Sequence, residues 1–186
     1  MLTLEDMLAA KEERANRREA FLKSEPETVL SLTINMPGSV KDSPKIRAIF
    51  RDGIRQIESS FFIVSSQIYY DITGPQGLFS ISENSQVVKE KACELELLSS
   101  WSRLWDMDVY DSVGKPVSSA KRHQGRTCFL CSELSTVCMR EQKHGIDEIV
   151  AAAQELIWDF VAQSTRDISM KAEQLGSLAL EGLLHE

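Results

Sequence analysis

Between Thr28 and Asn35 the side chains alternate, with Leu30, Leu32 and Ile34 set against Ser31 and Thr33, the period-two pattern of a strand with one buried face. After Pro44 the period lengthens to that of a helix. Ile46, Ile49, Phe50, Ile54 and Ile57 form one apolar stripe, and Ser43-Pro44 supplies a cap and a first-turn proline, so a helix is expected to about Glu58. The aromatic and β-branched run from Phe61 to Ile72 predicts a long strand. Gly74-Pro75-Gln76-Gly77 is the turn after it, and Leu78 to Ser82 the returning strand of a hairpin. Ser85 to Leu97 reads as a helix and Arg103 to Tyr110 as a further strand. Ahead of this set, Thr3 to Lys23 predicts a helix opened by a capping-box-like Thr3 and Asp6, with Leu4, Met7, Leu8 and Phe21 as its apolar positions.

The order βαββαβ across 28–111 is the split arrangement of an α+β, ferredoxin-like fold, a layer of strands with two helices on one face; a nucleotidyltransferase-like core is the other α+β reading. Residues 112–145 turn first Gly/Pro/Ser-rich and then basic, without a clear period, and a connection of that length suggests function. Ile146 to Val161 predicts a strongly amphipathic helix, with Ile149, Val150, Ala153, Leu156, Ile157 and Phe160 on one side, and a further helix is expected from Asp167 to Leu184. The chain of 186 residues, 42% hydrophobic, has room for one core, so we read a single domain over 1–186: a helix at 1–25, the core at 28–111, the basic cysteine-containing segment at 112–145 and C-terminal helices at 146–186.

A net charge of -7 argues against general nucleic-acid binding. Charge distribution qualifies that: Lys41 to Arg55 holds five basic and two acidic residues, and Ser112 to Arg126 four basic and none acidic. Such stretches suit a compact polyanion or an acidic partner, although solvated faces have the same composition. No apolar run approaches the roughly 20 residues of a membrane helix, so a cytoplasmic location without membrane attachment is expected. In that compartment the four cysteines favour burial or metal binding over disulfides.

Three groups of residues offer chemistry. Asp106 and Asp108, two apart on a predicted strand, leave one face together and could share Mg²⁺, which takes hard oxygen ligands. Gly38, Ser39, Lys41 and, one turn into the next helix, Arg47 are the parts of a phosphate cradle, though not of a P-loop; Asp42 beside them is a candidate base. Cys128, Cys131, Cys138 and His144 offer three thiolates and one imidazole for zinc, in a spacing that fits no familiar ribbon. On one continuous helix, however, the three cysteines would fall within about 80° of one another, the look of a buried helix face, and burial is the preferred reading. No Gly-x-Ser-x-Gly elbow occurs, and His123, His144 and His185 form no triad pattern.

Taken together, P-G-S-V-K-D-S with Arg47 to Phe50, the T-G-P-Q-G-L turn, R-L-W-D-M-D-V, and Arg126 to Cys131 continuing to Cys138 and His144 resemble the apo-citrate lyase phosphoribosyl-dephospho-coenzyme A transferases, the holo-acyl-carrier-protein synthases of citrate lyase. The likeness runs from about Leu8 to about His144. It implies a Mg²⁺-dependent nucleotidyltransferase-type enzyme with two partners, triphosphoribosyl-dephospho-coenzyme A and the acyl-carrier (gamma) subunit, whose serine attacks the α-phosphorus and displaces pyrophosphate. On this resemblance Asp106 and Asp108 become metal ligands, and Lys41, Arg47 and Arg103 partners of phosphate oxygens. Lys121 to Arg126 would then face the substrate or the carrier. The family usually carries glycine where this chain has Ser102, so a different local turn is expected there. Two other classes share parts of the pattern: a non-catalytic carrier-binding adaptor, and a zinc-stabilised module.

Overall fold

The computed structural model describes residues 3–119 and 125–183. Helix α1 (Leu4–Ser24) opens with a complete capping box between Thr3 and Asp6. Strand β1 (Thr28–Ile34), helix α2 (Pro44–Ser60), strands β2 (Ile63–Tyr69) and β3 (Gln76–Ile81), helix α3 (Ser85–Leu95) and strand β4 (Trp105–Tyr110) follow, with a 3-10 turn at Trp101–Leu104 leading into β4. The sheet order is β2-β3-β1-β4 and every neighbouring pair is antiparallel. That is the ferredoxin-like order, with each helix-linked strand pair separated by one strand of the other pair. Ser43 caps α2 by accepting from Ile46 N at 3.2 Å, with Pro44 in the first turn. Arg103 lies in the 3-10 turn rather than on the strand, which is shorter than the sequence predicts, and β2 likewise occupies only 63–69 of the run expected over 61–72.

The alternation read in β1 divides the sheet's two faces. Leu30, Leu32, Phe79, Ile81, Trp105, Met107 and Val109 meet Ile46, Ile49, Phe50 and Ile57 of α2 and Val88 and Ala92 of α3 in the main core. Trp105 is its largest fully buried member, and its indole N–H donates to the Ile49 carbonyl at 3.0 Å. Gly53 of α2 lies against that ring: a Cβ there would sit 3.1 Å from the indole nitrogen and 3.0 Å from Leu32 Cδ2. On the opposite face a smaller cluster forms where Phe21 of α1 packs on Val29 and Leu78, whereas Leu8, read as apolar face, is exposed. Arg14 fastens α1 to the T-G-P-Q-G-L turn by donating to the Thr73 and Gly74 carbonyls at 2.6 and 2.8 Å.

Two expectations for the second half change. Residues 128–138 are not one helix: Cys128 and Cys131 lie in a turn closed by the Thr127–Leu134 bridge, and only Cys138 is helical, on α4 (Ser135–Arg140). The turn residues Phe129 to Glu133 interrupt what continuous periodicity would require. The two expected C-terminal helices are one, α5 (Ile146–Leu183), because no Gly or Pro breaks the chain before Gly176. Its first half packs Ala153, Ile157 and Phe160 on the core, with Phe160 edge-on to Trp101 at 5.7 Å. From Thr165 to Ala172 the helix leaves the core, and even Ile168 and Met170 are exposed. Among the described residues no helix is long and apolar enough to cross a membrane. Trp105→Ala removes the side chain that locks α2 to the sheet and is expected to lower unfolding free energy by about 3–5 kcal/mol, measured by urea denaturation.

Candidate active site

Because β4 is an edge strand, the outward N–H and C=O of Met107 need partners that no neighbouring strand supplies. Two side chains of the α3 region take this role: Glu96 accepts from Met107 N at 2.8 Å, and Lys89 Nζ donates to Met107 O at 2.9 Å. Glu96 is buried and also binds Arg126, whose guanidinium reaches on to Asp106 Oδ1 at 2.8 Å. Burial opposes Arg126's charge, but the carboxylates of Glu96 and Asp106 outweigh it and raise the pKa. Glu96 and Lys89 escape the sequence reading, since neither stands in a motif; a carboxylate at the end of an amphipathic helix beside an edge strand is the only signal that could find them.

Asp106 and Asp108 do leave the same face of β4, opposite Thr33 and Ser31 of β1, while Trp105, Met107 and Val109 point into the core. Asp108 is exposed at the residue level, yet partial desolvation of its carboxyl against the sheet and then the charge of Asp106 push it above its ordinary range, with Lys89 and Arg126 partly offsetting them. Two carboxylates held this way are a hard, all-oxygen donor pair suited to a divalent cation.

Arg126, which pairs with Asp106, also lines a cavity of about 640 Å³, within the range of small-molecule sites, although neither aspartate is part of its lining. The loop after β1 forms one wall with Gly38 and Lys41, the 3-10 turn contributes Arg103, and Arg126 with Phe129 closes the other side. Gly38 has φ +77° and packs so tightly against α5 that a Cβ would come within 2.8 Å of Val150 Cγ2, so glycine is required there for conformation and space. Lys41 turns back to the Met36 carbonyl, and burial lowers its pKa. Arg103 donates to the Cys128 carbonyl at 2.8 Å and lies over the Phe129 ring at 5.4 Å. Ser102 adopts no positive φ. It is buried, and its hydroxyl donates to Ser99 O at 2.8 Å and accepts from Ser99 N at 2.9 Å, so serine closes this turn through its side chain.

Of the predicted substrate residues, Gly38, Lys41, Arg103 and Arg126 thus line one cavity. Ser39 is exposed beside it. Asp42 and Arg47 are instead joined to each other: Arg47 Nε and Nη2 meet the two carboxylate oxygens at 2.8 and 2.5 Å, and Arg47 stacks on Tyr70 at 5.1 Å. Lys121 and Arg122, half of the second basic stretch, and His123 lie outside the described residues. The turn behind Arg126 brings Cys128, Cys131, Cys138 and His144 together, their ligating atoms all within 4.8 Å of one another. Burial raises the Cys138 thiol pKa to about 12, with the neighbouring Cys128 sulfur adding to the shift. Burial also acts on Cys128, but the N–H groups of Leu130 and Cys131 outweigh it and hold that thiol below its ordinary value.

The residues thus form an α+β fold with a cavity lined by Lys41, Arg103 and Arg126, the last of which also pairs with Asp106. A family model described as apo-citrate lyase phosphoribosyl-dephospho-CoA transferase matches residues 2–160, and the chain belongs to that family. It is 35% identical over 178 residues to the probable apo-citrate lyase phosphoribosyl-dephospho-CoA transferase of Streptococcus pyogenes serotype M18 (strain MGAS8232), covering 90% of this chain and 92% of that one. The apo-citrate lyase phosphoribosyl-dephospho-CoA transferase of Escherichia coli O1:K1 / APEC is 29% identical over 164 residues, 85% of this chain and 90% of its own.

The raised pKa of Asp108 has a thermodynamic consequence. A carboxyl harder to ionise folded than unfolded costs stability wherever the unfolded chain is ionised, and the cost disappears at pH values below both pKa values. Asp108→Asn in metal-free protein is therefore expected to raise Tm at neutral pH, with the gain shrinking as pH falls through the carboxylate range, read by thermal melts across pH.

Proposed function

We propose that this protein transfers the phosphoribosyl-dephospho-coenzyme A group from its triphosphoribosyl precursor to a serine of the citrate lyase acyl-carrier (gamma) subunit. The observation that supports this reading is that Arg126 both lines the cavity and pairs with Asp106, linking the cavity's cationic wall to the strand that carries the two aspartates, in a chain of this transferase family. The precursor is a polyanion, and Lys41, Arg103 and Arg126 are the cations available to its phosphate oxygens. Gly38 lets the backbone approach the same ligand, with Ser39 at the rim.

In the reaction the carrier's serine oxygen forms a bond to the α-phosphorus while the bond from that phosphorus to the departing pyrophosphate breaks. The serine proton passes to solvent, pyrophosphate leaves, and a phosphodiester remains. Because the nucleophile belongs to the partner, this chain's task is to bind, orient and neutralise charge. Asp106 and Asp108 would hold Mg²⁺, which when bound offsets charge on the attacked phosphate and on pyrophosphate. Arg126 orients Asp106 through its guanidinium and keeps that carboxylate beside the cavity. Asp42, with both oxygens on Arg47, serves this scheme better by bracing the phosphate loop to α2 than by accepting the serine proton. A cytoplasmic setting accords with these soluble partners.

Purified protein incubated with apo-carrier subunit, the triphosphoribosyl precursor and Mg²⁺ is expected to add the prosthetic-group mass to the carrier. Asp106→Asn or Asp108→Asn should slow transfer by roughly 10²–10³-fold, the scale of losing one electrostatic stabiliser. Mass spectrometry of the carrier reads both. Carrier binding without transfer by the wild-type protein would support the adaptor instead, and near-normal turnover in the Asn variants would refute the metal role.

A further inference from the structure

The segment 125–145 has a structural problem that apolar packing does not solve. Among its residues only Cys128 and Cys138 are fully buried, its helix α4 is a single six-residue element, and Leu130 and Met139 are exposed. A few backbone bonds, such as Cys128 N to Glu133 O at 2.8 Å and Ser135 N to Arg126 O at 2.8 Å, close its turn. Yet this segment positions Arg126 and one side of the cavity.

What sits at its centre is the group of Cys128, Cys131, Cys138 and His144, drawn from the turn, from α4 and from the link into α5. The Cys128 and Cys138 sulfurs are 3.5 Å apart, and all four candidate ligand atoms fall within 4.8 Å of one another. A tetrahedral Zn²⁺ with Zn–S bonds of about 2.3 Å requires sulfurs about 3.8 Å apart, so only small side-chain adjustments separate this arrangement from a closed coordination shell. A second observation points the same way. His144 Nε2 is shut off from solvent and has no hydrogen-bond partner, a cost that a metal bond removes. Leu130 N–H points at Cys128 Sγ from 3.5 Å, in position to stabilise a thiolate.

We propose that Cys128, Cys131, Cys138 and His144 bind one structural Zn²⁺ that fixes the 125–145 segment against the core and so holds Arg126 in the site. Four protein ligands leave no open position, so the ion supplies folding energy rather than catalysis. It is separate from the divalent cation proposed for Asp106 and Asp108, which offer only oxygen to a hard cation. The soft thiolates select zinc, and the two sites are expected to be loaded independently. The proposal stands on the side-chain cluster and is independent of the transferase reading.

The test uses the full chain, purified without added chelator and kept reduced with a thiol-free reductant. Elemental analysis is expected to give about one zinc per chain, the stoichiometry of a closed four-ligand site. Replacing it with Co²⁺ is expected to give the visible bands of a tetrahedral centre together with thiolate-to-cobalt charge transfer. Cys131→Ser, at the half-exposed ligand, should weaken binding at least roughly tenfold, since even outer-shell losses cost that much. Cys93→Ser, buried in α3 away from the cluster, should retain full metal. If Cys131→Ser fails to fold, the wild-type cobalt spectrum still decides. Wild-type protein that neither carries zinc nor takes up Zn²⁺ or Co²⁺ overturns the proposal, as does a Cys128–Cys138 disulfide persisting in the reduced preparation, or a zinc affinity, measured by competition with a chelator, that is unchanged in Cys131→Ser. Failure of the transfer assay with stoichiometric zinc present would count against the transferase and leave this site standing.

Discussion

The outer edge of β4 cannot be left bare. Its Met107 amide and carbonyl have no strand beside them, and the chain satisfies both with side chains, Glu96 on the N–H and Lys89 on the C=O. Once a carboxylate is buried at that edge it needs a cation, and Arg126 provides it. Since Arg126 comes from a distant loop, pairing with Glu96 docks that loop on the sheet, and the same guanidinium reaches Asp106. A backbone requirement of one edge strand therefore determines where the cavity's cationic wall stands relative to the paired aspartates.

The sheet divides its labour by face. Odd-numbered residues of β4 anchor the core, with Trp105 wedged against Gly53, while on the other side Asp106 and Asp108 carry charge and Tyr110 packs on the smaller cluster. The aspartates gain precision from this, because their neighbours along the strand are immobilised by packing and their opposite numbers, Thr33 and Ser31, belong to the central strand β1. The arrangement opposes stability locally, as the raised pKa of Asp108 shows.

Most of the α/β core was legible because its signals are local. Period two in β1, the Ser43-Pro44 cap and the Gly74 turn each dictate their own structure, and the order of elements then restricts the sheet to few topologies. The aspartates were legible for the same reason: strand geometry alone puts residues two apart on one face. What the sequence hid is long-range. Nothing near Glu96 announces a partner 30 positions away, and even the local pair of Asp42 and Arg47, five residues apart, goes unannounced because both side chains can turn in several directions. The cysteines misled in a different manner, since a helical wheel also gathers them on one side; the structure gathers them through a turn and a short helix instead.

That difference bears on how the molecule holds its least apolar segment. A buried helix face would have stabilised residues 128–138 by packing, and Phe129, Leu130 and Met139 would have shared in it. Instead Leu130 and Met139 face solvent, Phe129 alone of the three packs on the core, and the segment's two buried residues are Cys128 and Cys138. Arg103 ties the Cys128 carbonyl to the entry of β4, while Arg126, just ahead of it in the chain, ties to Glu96 and Asp106. The cavity wall thus hangs on polar links from the front and on the thiol cluster from behind. Neutral hydrogen bonds to a partly exposed loop contribute little net stability each, so the segment depends on the buried Glu96–Arg126 pair in front and, with zinc bound as proposed, on the thiol cluster behind.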